Sequence, residues 1–337
     1  MTDTTSRSGG STPAESTGVG STNLSRPIIV RIATRTSRLA LWQAEFTANL
    51  LRRLTQICLV EIVPISTVGD RDQESRLSSM GGQGVFTREV QRALLDGRAD
   101  IAVHSLKDLP TVPTPGLVLG CVPRRGDRFD ALVFPKSHPA DSLESLSSGA
   151  KVATGSPRRQ SQLLAVRPDL KLCEVRGNVE TRLRKLDDGE FDAMILAEAG
   201  LLRLGFGDRI NTLLMPPVML PAVGQAALGI ECREDNTQLR HLLSQLTDRQ
   251  TWWEVLAERA CLRTLQAGCH APVGTFSSFD DDGQQRLDTV VLSHDGTEVL
   301  RASVSAPVQT EADAISLGNQ TAQALLDQNA ARLITPE

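Results

Sequence analysis

Residues Lys151–Val166 read KVATGSPRRQSQLLAV, and the order of their residue types decides the fold class. Lys151 to Thr154 is a short strand, Gly155-Ser156 breaks it, and Pro157 opens a helix to about Val166 at the one helical position where its missing N–H is tolerated. A strand that runs straight into a helix is half of a strand–helix–strand unit. Further strands at Lys171 to Val175 and Asp192 to Leu196, with a helix at Val179 to Asp187 between them, continue the rhythm.

The same alternation holds toward the N-terminus. Ile28 to Ala33 reads as a buried strand, Ser37 to about Leu51 as a helix capped by Ser37, and Cys58 to Thr67 as a second strand. A glycine-rich loop (Gly81 to Gly84), a helix over Thr87 to about Asp96 and a strand over Asp100 to His104 follow. This order predicts α/β architecture with largely parallel sheets. Pro110, Pro113 and Pro115 interrupt the chain, Pro123 to Asp127 is polar enough for a crossover, and Pro216, Pro217 and Pro221 mark a second one before the strand Ala227 to Arg233. After Thr247 a helix (Trp252 to about Leu265), a hairpin (Asp288 to Ser293 and Glu298 to Val304 around Asp295-Gly296) and a helix (Glu311 to about Asp327) form a small α+β unit. The expected division is a tail over 1–26, one lobe over 27–126 and 227–244, a second over 132–220, and a C-terminal domain over 249–337. Two lobes joined by two crossovers frame a cleft.

Composition agrees with several cores. The 337 residues are 40% hydrophobic, which is too long and too apolar for one small module. Lys plus Arg number 36 against 40 for Asp plus Glu, a net charge of −4, so the global balance points to neither nucleic acid nor an anionic membrane surface. With aromatics at 3% and no Tyr, base stacking has little to work with. No apolar run approaches the roughly 18 residues of a membrane span, and no secretory signal opens the chain, so a soluble, intracellular protein is expected. Residues 1 to about 26 are rich in Ser, Thr and Gly and read as a disordered tail, with a cleaved organelle-targeting peptide as the alternative. The six cysteines show no Cys-x-x-Cys spacing and the five histidines no His-x-x-x-His pairing, which argues against metal and disulfide frameworks.

Chemistry concentrates in three places. Arg158, Arg159, Arg176, Arg182, Arg184 and Arg203 crowd the second lobe. Arg158 and Arg159 open a helix, where free backbone N–H groups and the helix dipole reinforce two guanidiniums into an anion site. The bland alternative is a solvated surface with local ion pairs. His104-Ser105-Leu106-Lys107-Asp108-Leu109-Pro110 ends an apolar strand; were the strand to continue, His104, Leu106 and Asp108 would share one face and Ser105 and Lys107 the other. Asp108 beside Lys107 suits a carboxylate that stabilises a cation or acts as a general acid, although an Asp-Leu-Pro turn is also an ordinary strand exit. Cys269 lies in Ala267-Gly268-Cys269-His270, a loop thiol open to reaction or attachment, or else a buried inert one, whereas Cys58 and Cys232 sit in apolar strands. Gly81-Gly82-Gln83-Gly84 lacks the lysine and spacing of a nucleotide loop.

As a set these segments resemble the porphobilinogen deaminase (hydroxymethylbilane synthase) family, from about Ile28 to the C-terminus. The motifs are Arg31-Ile32-Ala33-Thr34-Arg35 with Ser37, Gly69-Asp70, His104-Ser105-Leu106-Lys107-Asp108, Arg158-Arg159-Gln160, Arg176-Gly177-Asn178, Leu220-Pro221-Ala222-Val223-Gly224-Gln225 and Gly268-Cys269. The resemblance implies two lobes like those of periplasmic binding proteins and a third domain whose Cys269 carries a thioether-linked dipyrromethane cofactor. It implies condensation of four porphobilinogen molecules with loss of ammonia, then hydrolytic release of linear hydroxymethylbilane. Asp108 matches the catalytic carboxylate that binds pyrrole N–H groups and stabilises an azafulvene-like cation. Arg35, Ser37, Ser105, Lys107, Ser156, Arg158, Arg159, Arg176, Arg182, Arg203 and Gln225 match positions around cofactor and substrate carboxylates, and Gln83 and Phe86 belong to the lid loop. A cytoplasmic monomer handing its product to uroporphyrinogen-III synthase, without metal, is also implied. Three positions depart from the family's habit: Gln83 stands where lysine is common, Ala226 where glycine is, and His270 where glutamine is frequent. Two other classes compete: a small-anion binding protein, which needs neither Asp108 nor Cys269, and a regulator's sensing unit, for which no basic helix-turn-helix precedes the lobes.

Overall fold

A computed structural model describes residues 28–54, 58–67, 87–138, 140–268 and 270–334. The chain first lays down β1 (Ile28–Arg35), β2 (Cys58–Ile65), β3 (Ile101–Ser105) and β4 (Leu117–Cys121). It then crosses to a second sheet of β5 (Asp130–Val133), β6 (Lys151–Ala153), β7 (Lys171–Cys173), β8 (Ala193–Ala197) and β9 (Thr212–Leu214), and crosses back to place β10 (Leu228–Arg233) in the first. The sheet orders are β2-β1-β3-β10-β4 and β7-β6-β8-β5-β9. A third, antiparallel sheet follows the chain through β11 (Val273–Phe279), β12 (Gln284–Leu292) and β13 (Val299–Pro307).

From Val30 onward β1 buries side chains on both faces. Val30 and Ile32 pack against Ala44, Ala48 and Leu51 of the helix Arg38–Leu54, while Ala33 packs against Val90, Ala93 and Leu94 of the helix Arg88–Leu95. That double burial is why the strand reads as continuous rather than alternating. The helix Arg38–Leu54 starts as read, with Ser37 Oγ accepting from the N–H of Ala40 at 3.3 Å.

The sheets are largely parallel, as expected, with one strand reversed in each; β6 runs parallel to β7 and β8. β1 runs parallel to β2 and β3, but β10 is antiparallel to β3 and β4, and β5 is antiparallel to β8 and β9. The reason is the crossovers themselves: β5 and β10 enter each sheet from the other lobe and so run against the local direction. Strands β4, β5, β9 and β11 and the helices Glu198–Arg203, Thr237–Ser244 and Ala331–Ile334 had no counterpart in the sequence reading. Most span too few residues for a periodicity to show.

Both crossovers are fastened to the C-terminal unit by one buried acid. Glu258, on the helix Arg249–Thr264, accepts from Arg125 at 2.7 and 3.0 Å and from the backbone N–H of Gly224 at 2.7 Å. Arg125 also donates to the carbonyl of Gln225 at 2.8 Å, so the two connections between the lobes share one guanidinium.

Candidate active site

β3 does not continue to Asp108. Leu106–Asp108 is a single turn of 3-10 helix, so the alternation of faces expected for His104 to Asp108 is lost. Leu106 explains the turn: its N–H donates to the carbonyl of Ala227 at 3.0 Å, and its side chain is buried against two glycines. A Cβ on Gly229 would come within 2.8 Å of Leu106 Cδ1, and one on Gly224 within 3.1 Å of Leu106 Cγ. Arg259 of the C-terminal unit closes the far end by donating to the carbonyls of Leu109 at 3.0 Å and Pro110 at 2.7 Å.

Thus held, Asp108 is exposed where two open pockets meet. One is lined by Arg35, Ser37, Gln43, His104 and Ser105 along with Asp108. Gln43, which sequence reasoning missed, donates to Ser105 Oγ at 2.8 Å. The other is lined by Lys107, Val223, Arg259, Leu262 and Gly268 along with Asp108. Cys269, Gln83, Phe86 and Gly69-Asp70 lie outside the described residues, so the structure says nothing of their placement.

The second lobe presents its cations in two ways. Arg158 and Arg159 do not stand open at the helix Pro157–Val166, as expected from their position; both are buried. Asp130, at the start of β5, takes Arg158 Nη2 at 2.8 Å and Arg159 Nη2 at 2.7 Å. The guanidiniums also donate to the carbonyls of Leu220 at 2.6 Å and Ile195 at 3.1 Å. Both arginines hold the Asp130 carboxyl below the usual carboxylate range despite its burial. Gln225 joins this cluster to the first lobe, donating to Asp130 Oδ1 at 3.0 Å and accepting from Lys107 Nζ at 3.3 Å.

Among the described residues, Lys107, Arg182 and Arg203 have no such carboxylate in ion-pair contact. Burial and the Arg159 charge pull Lys107 down to about 8. Arg182 donates to the carbonyl of Gly177 at 2.8 Å, and burial with the charge of Arg159 lowers it to about 10, partly offset by Asp108 across the cleft. Arg203 donates to the carbonyl of Ala226 at 2.6 Å and lies 5.4 Å from the Trp42 ring centroid; burial alone lowers it to about 10. Arg176 ends the segment after β7 just ahead of the helix Val179–Asp187, and Ser156 precedes the helix of the paired arginines.

Two family models account for most of the chain. The porphobilinogen deaminase dipyromethane cofactor binding domain matches residues 30–241, and the porphobilinogen deaminase C-terminal domain matches 252–327. The porphobilinogen deaminase of Syntrophotalea carbinolica is 44% identical over 307 residues, covering 90% of this chain and 95% of that protein. The chain belongs to the porphobilinogen deaminase family. The chloroplastic porphobilinogen deaminase of Euglena gracilis is 48% identical over 290 residues, which span 85% of this chain and 59% of that longer protein. A periplasmic domain of Bordetella pertussis BvgS, 17% identical, covers 69% of this chain and 92% of its own at a TM-score of 0.41, too low to carry an argument. As a family member the protein is a transferase, hydroxymethylbilane synthase, of tetrapyrrole biosynthesis, and its cofactor is dipyrromethane.

The residues present fit that cofactor. Pyrroles bearing acetate and propionate need several cations in one cleft, and Lys107 and Arg182 are cations whose charge burial makes costly until an anion arrives. Arg158 Nε is buried without a partner among the described residues. Gly268, next in the chain to Cys269, lines the Asp108 cavity. Among the described residues no cluster of three or more His, Cys, Asp or Glu could hold a metal, and no helix is long and apolar enough to cross a membrane.

Proposed function

We propose that Asp108 is the catalytic carboxylate of this hydroxymethylbilane synthase and that Cys269 bears the dipyrromethane. The observation that carries the reading is the position of Asp108, shared by two cavities and opposed by un-neutralised cations from the other lobe. Lys107, Arg182 and Arg203, with Arg35, Arg176 and the hydroxyls of Ser37, Ser105 and Ser156, bind the acetate and propionate groups. Arg158 and Arg159 build the wall behind them. When bound, the cofactor supplies the pyrrole carbon from which the chain grows.

Asp108 acts by charge. Its carboxylate accepts from pyrrole N–H groups and opposes the positive charge that develops on each porphobilinogen as ammonia leaves, an interaction strongest in the transition state. The half-buried Lys107 beside it adds a positive charge at the same wall of the cleft. The division into lobes at 27–126 with 227–244 and at 132–220, with a C-terminal domain over 249–337, belongs to the same reading. So do a cytoplasmic, monomeric state and transfer of the product to uroporphyrinogen-III synthase.

Two measurements test it. Asp108→Asn keeps size and removes charge, so it should lower turnover of porphobilinogen by about a hundredfold or more while the cofactor stays attached. Purified protein should exceed its sequence mass by two linked pyrroles, and Cys269→Ala should lose both that mass and activity. Near-normal turnover in Asp108→Asn, or an adduct mapped to another cysteine, overturns the assignment.

A further inference from the structure

Beneath the Asp108 turn lies an acid that the chemistry above does not use. Glu231 of β10 is 4% exposed and accepts from Gln91 Nε2 at 3.0 Å on each carboxylate oxygen. His104 of β3, itself 6% exposed, brings Nε2 to 2.9 Å from Glu231 Oε2. The approach is a close polar contact rather than an aligned hydrogen bond, for among the described residues His104 Nε2 has no hydrogen-bond partner. The contact is diagonal across the ladder, for Gly229 pairs with His104 and Glu231 with Ala102.

Two elements therefore converge on one buried carboxylate. β3 leads into the Asp108 turn. The helix Arg88–Leu95 carries Gln91, and its cap Thr87 lines the same cavity as Asp108. A leucine at 231 would fill this space without the cost of burying a charge. A polar network here makes sense where position matters more than stability.

We propose that Glu231 is the positioning residue for Asp108. Through its contact with His104 ahead of the turn, and with Gln91 holding its carboxylate in place, Glu231 fixes the direction from which the Asp108 carboxylate enters the cleft. This rests on Asp108 being the catalytic carboxylate. A turn that relaxes by about 1 Å would leave substrate binding to the cations largely intact and weaken the interaction made in the transition state.

The test uses holoenzyme, with kcat and KM for porphobilinogen, attached cofactor by intact mass, and Tm measured together. Glu231→Gln keeps size and should lower kcat about tenfold, with KM within about threefold and the cofactor retained. His104→Ala should match it, whereas His104→Gln, which keeps a donor near the Nε2 position, should recover most of the rate. In an Asp108→Glu background, Glu231→Gln should cost less than about twofold more, because both changes act through one group. Wild-type kcat in folded Glu231→Gln overturns the proposal, as does an equal loss with and without Asp108. Should Glu231→Gln fail to fold, the His104 pair decides: equal rates in His104→Ala and His104→Gln overturn it. If Asp108→Asn itself turns over normally, the assignment of Asp108 fails; if Asp108→Asn is dead and Glu231→Gln normal, only the positioning role does.

Discussion

The paired arginines of the second lobe and the cations that face Asp108 are both crowded by protein, yet they are opposites electrostatically. Arg158 and Arg159 share Asp130 and spend further N–H groups on backbone carbonyls. Lys107 and Arg182 have no carboxylate in ion-pair contact among the described residues, and burial lowers both. Buried charge that the fold neutralises is scaffold. Buried charge that the fold leaves short of an anion waits for a ligand, and the carboxylates of the pyrroles are the anions this reaction brings.

The sharpest way to break this contrast is Asp130→Asn. It leaves two buried guanidiniums facing each other without their counter-charge, and removing one partner of a buried pair costs about 3–5 kcal/mol. Denaturant unfolding should show that loss, the largest expected of any stability change here, together with weak holoenzyme assembly. The pH dependence has a definite sign. The folded pKa of Asp130 lies below its unfolded value, so its contribution is complete above the unfolded carboxyl range and disappears as pH falls below about 4. Wild-type stability in Asp130→Asn would show that the arginines do not depend on it.

Much of this was legible from sequence, and the misses have physical causes. The helices Pro157–Val166 and Val179–Asp187 lie where proline, Asn178 and periodicity put them, because local caps and spacing fix helix ends. Asp130 was missed because β5 has only 4 residues, too few to reveal a buried acid that opens a strand. The open anion site expected of Arg158 and Arg159 failed for the same reason: the helix start is local, but the carboxylate that turns both side chains inward comes from 29 positions away along the chain for Arg159. Arg259 and Glu231 act on the Asp108 turn from distant segments and leave no local signature.

A smaller effect follows from Lys107. Its folded pKa, about 8, lies below the 10.5 of an unfolded lysine, so the unfolded chain binds more protons between those values. Free-enzyme stability should therefore rise as pH passes from about 8 toward 10.5. Over the same span the ammonium that binds a carboxylate is lost, so KM for porphobilinogen should climb. Lys107→Met should flatten both curves. A KM that stays constant through this range in the wild type would place Lys107 outside the ligand's reach.

The smallest expected effect lies at the cleft mouth, where the lobes meet through exposed groups. Arg38, from the helix Arg38–Leu54, reaches Glu180 of the second lobe at 3.2 Å and the carbonyl of Leu204 at 3.4 Å. Its side chain is 64% exposed and that of Glu180 31%, so water and salt screen the pair. Such a pair is worth about 0–1 kcal/mol, far less than the buried contacts of Glu258 that tie both crossovers on the other side of the cleft. Arg38→Ala should change KM by less than about threefold at low salt. At about 1 M salt, where the screening length falls to about 3 Å, variant and wild type should converge. A larger loss that persists in salt would mean that Arg38 touches substrate rather than merely closing the lobes over it.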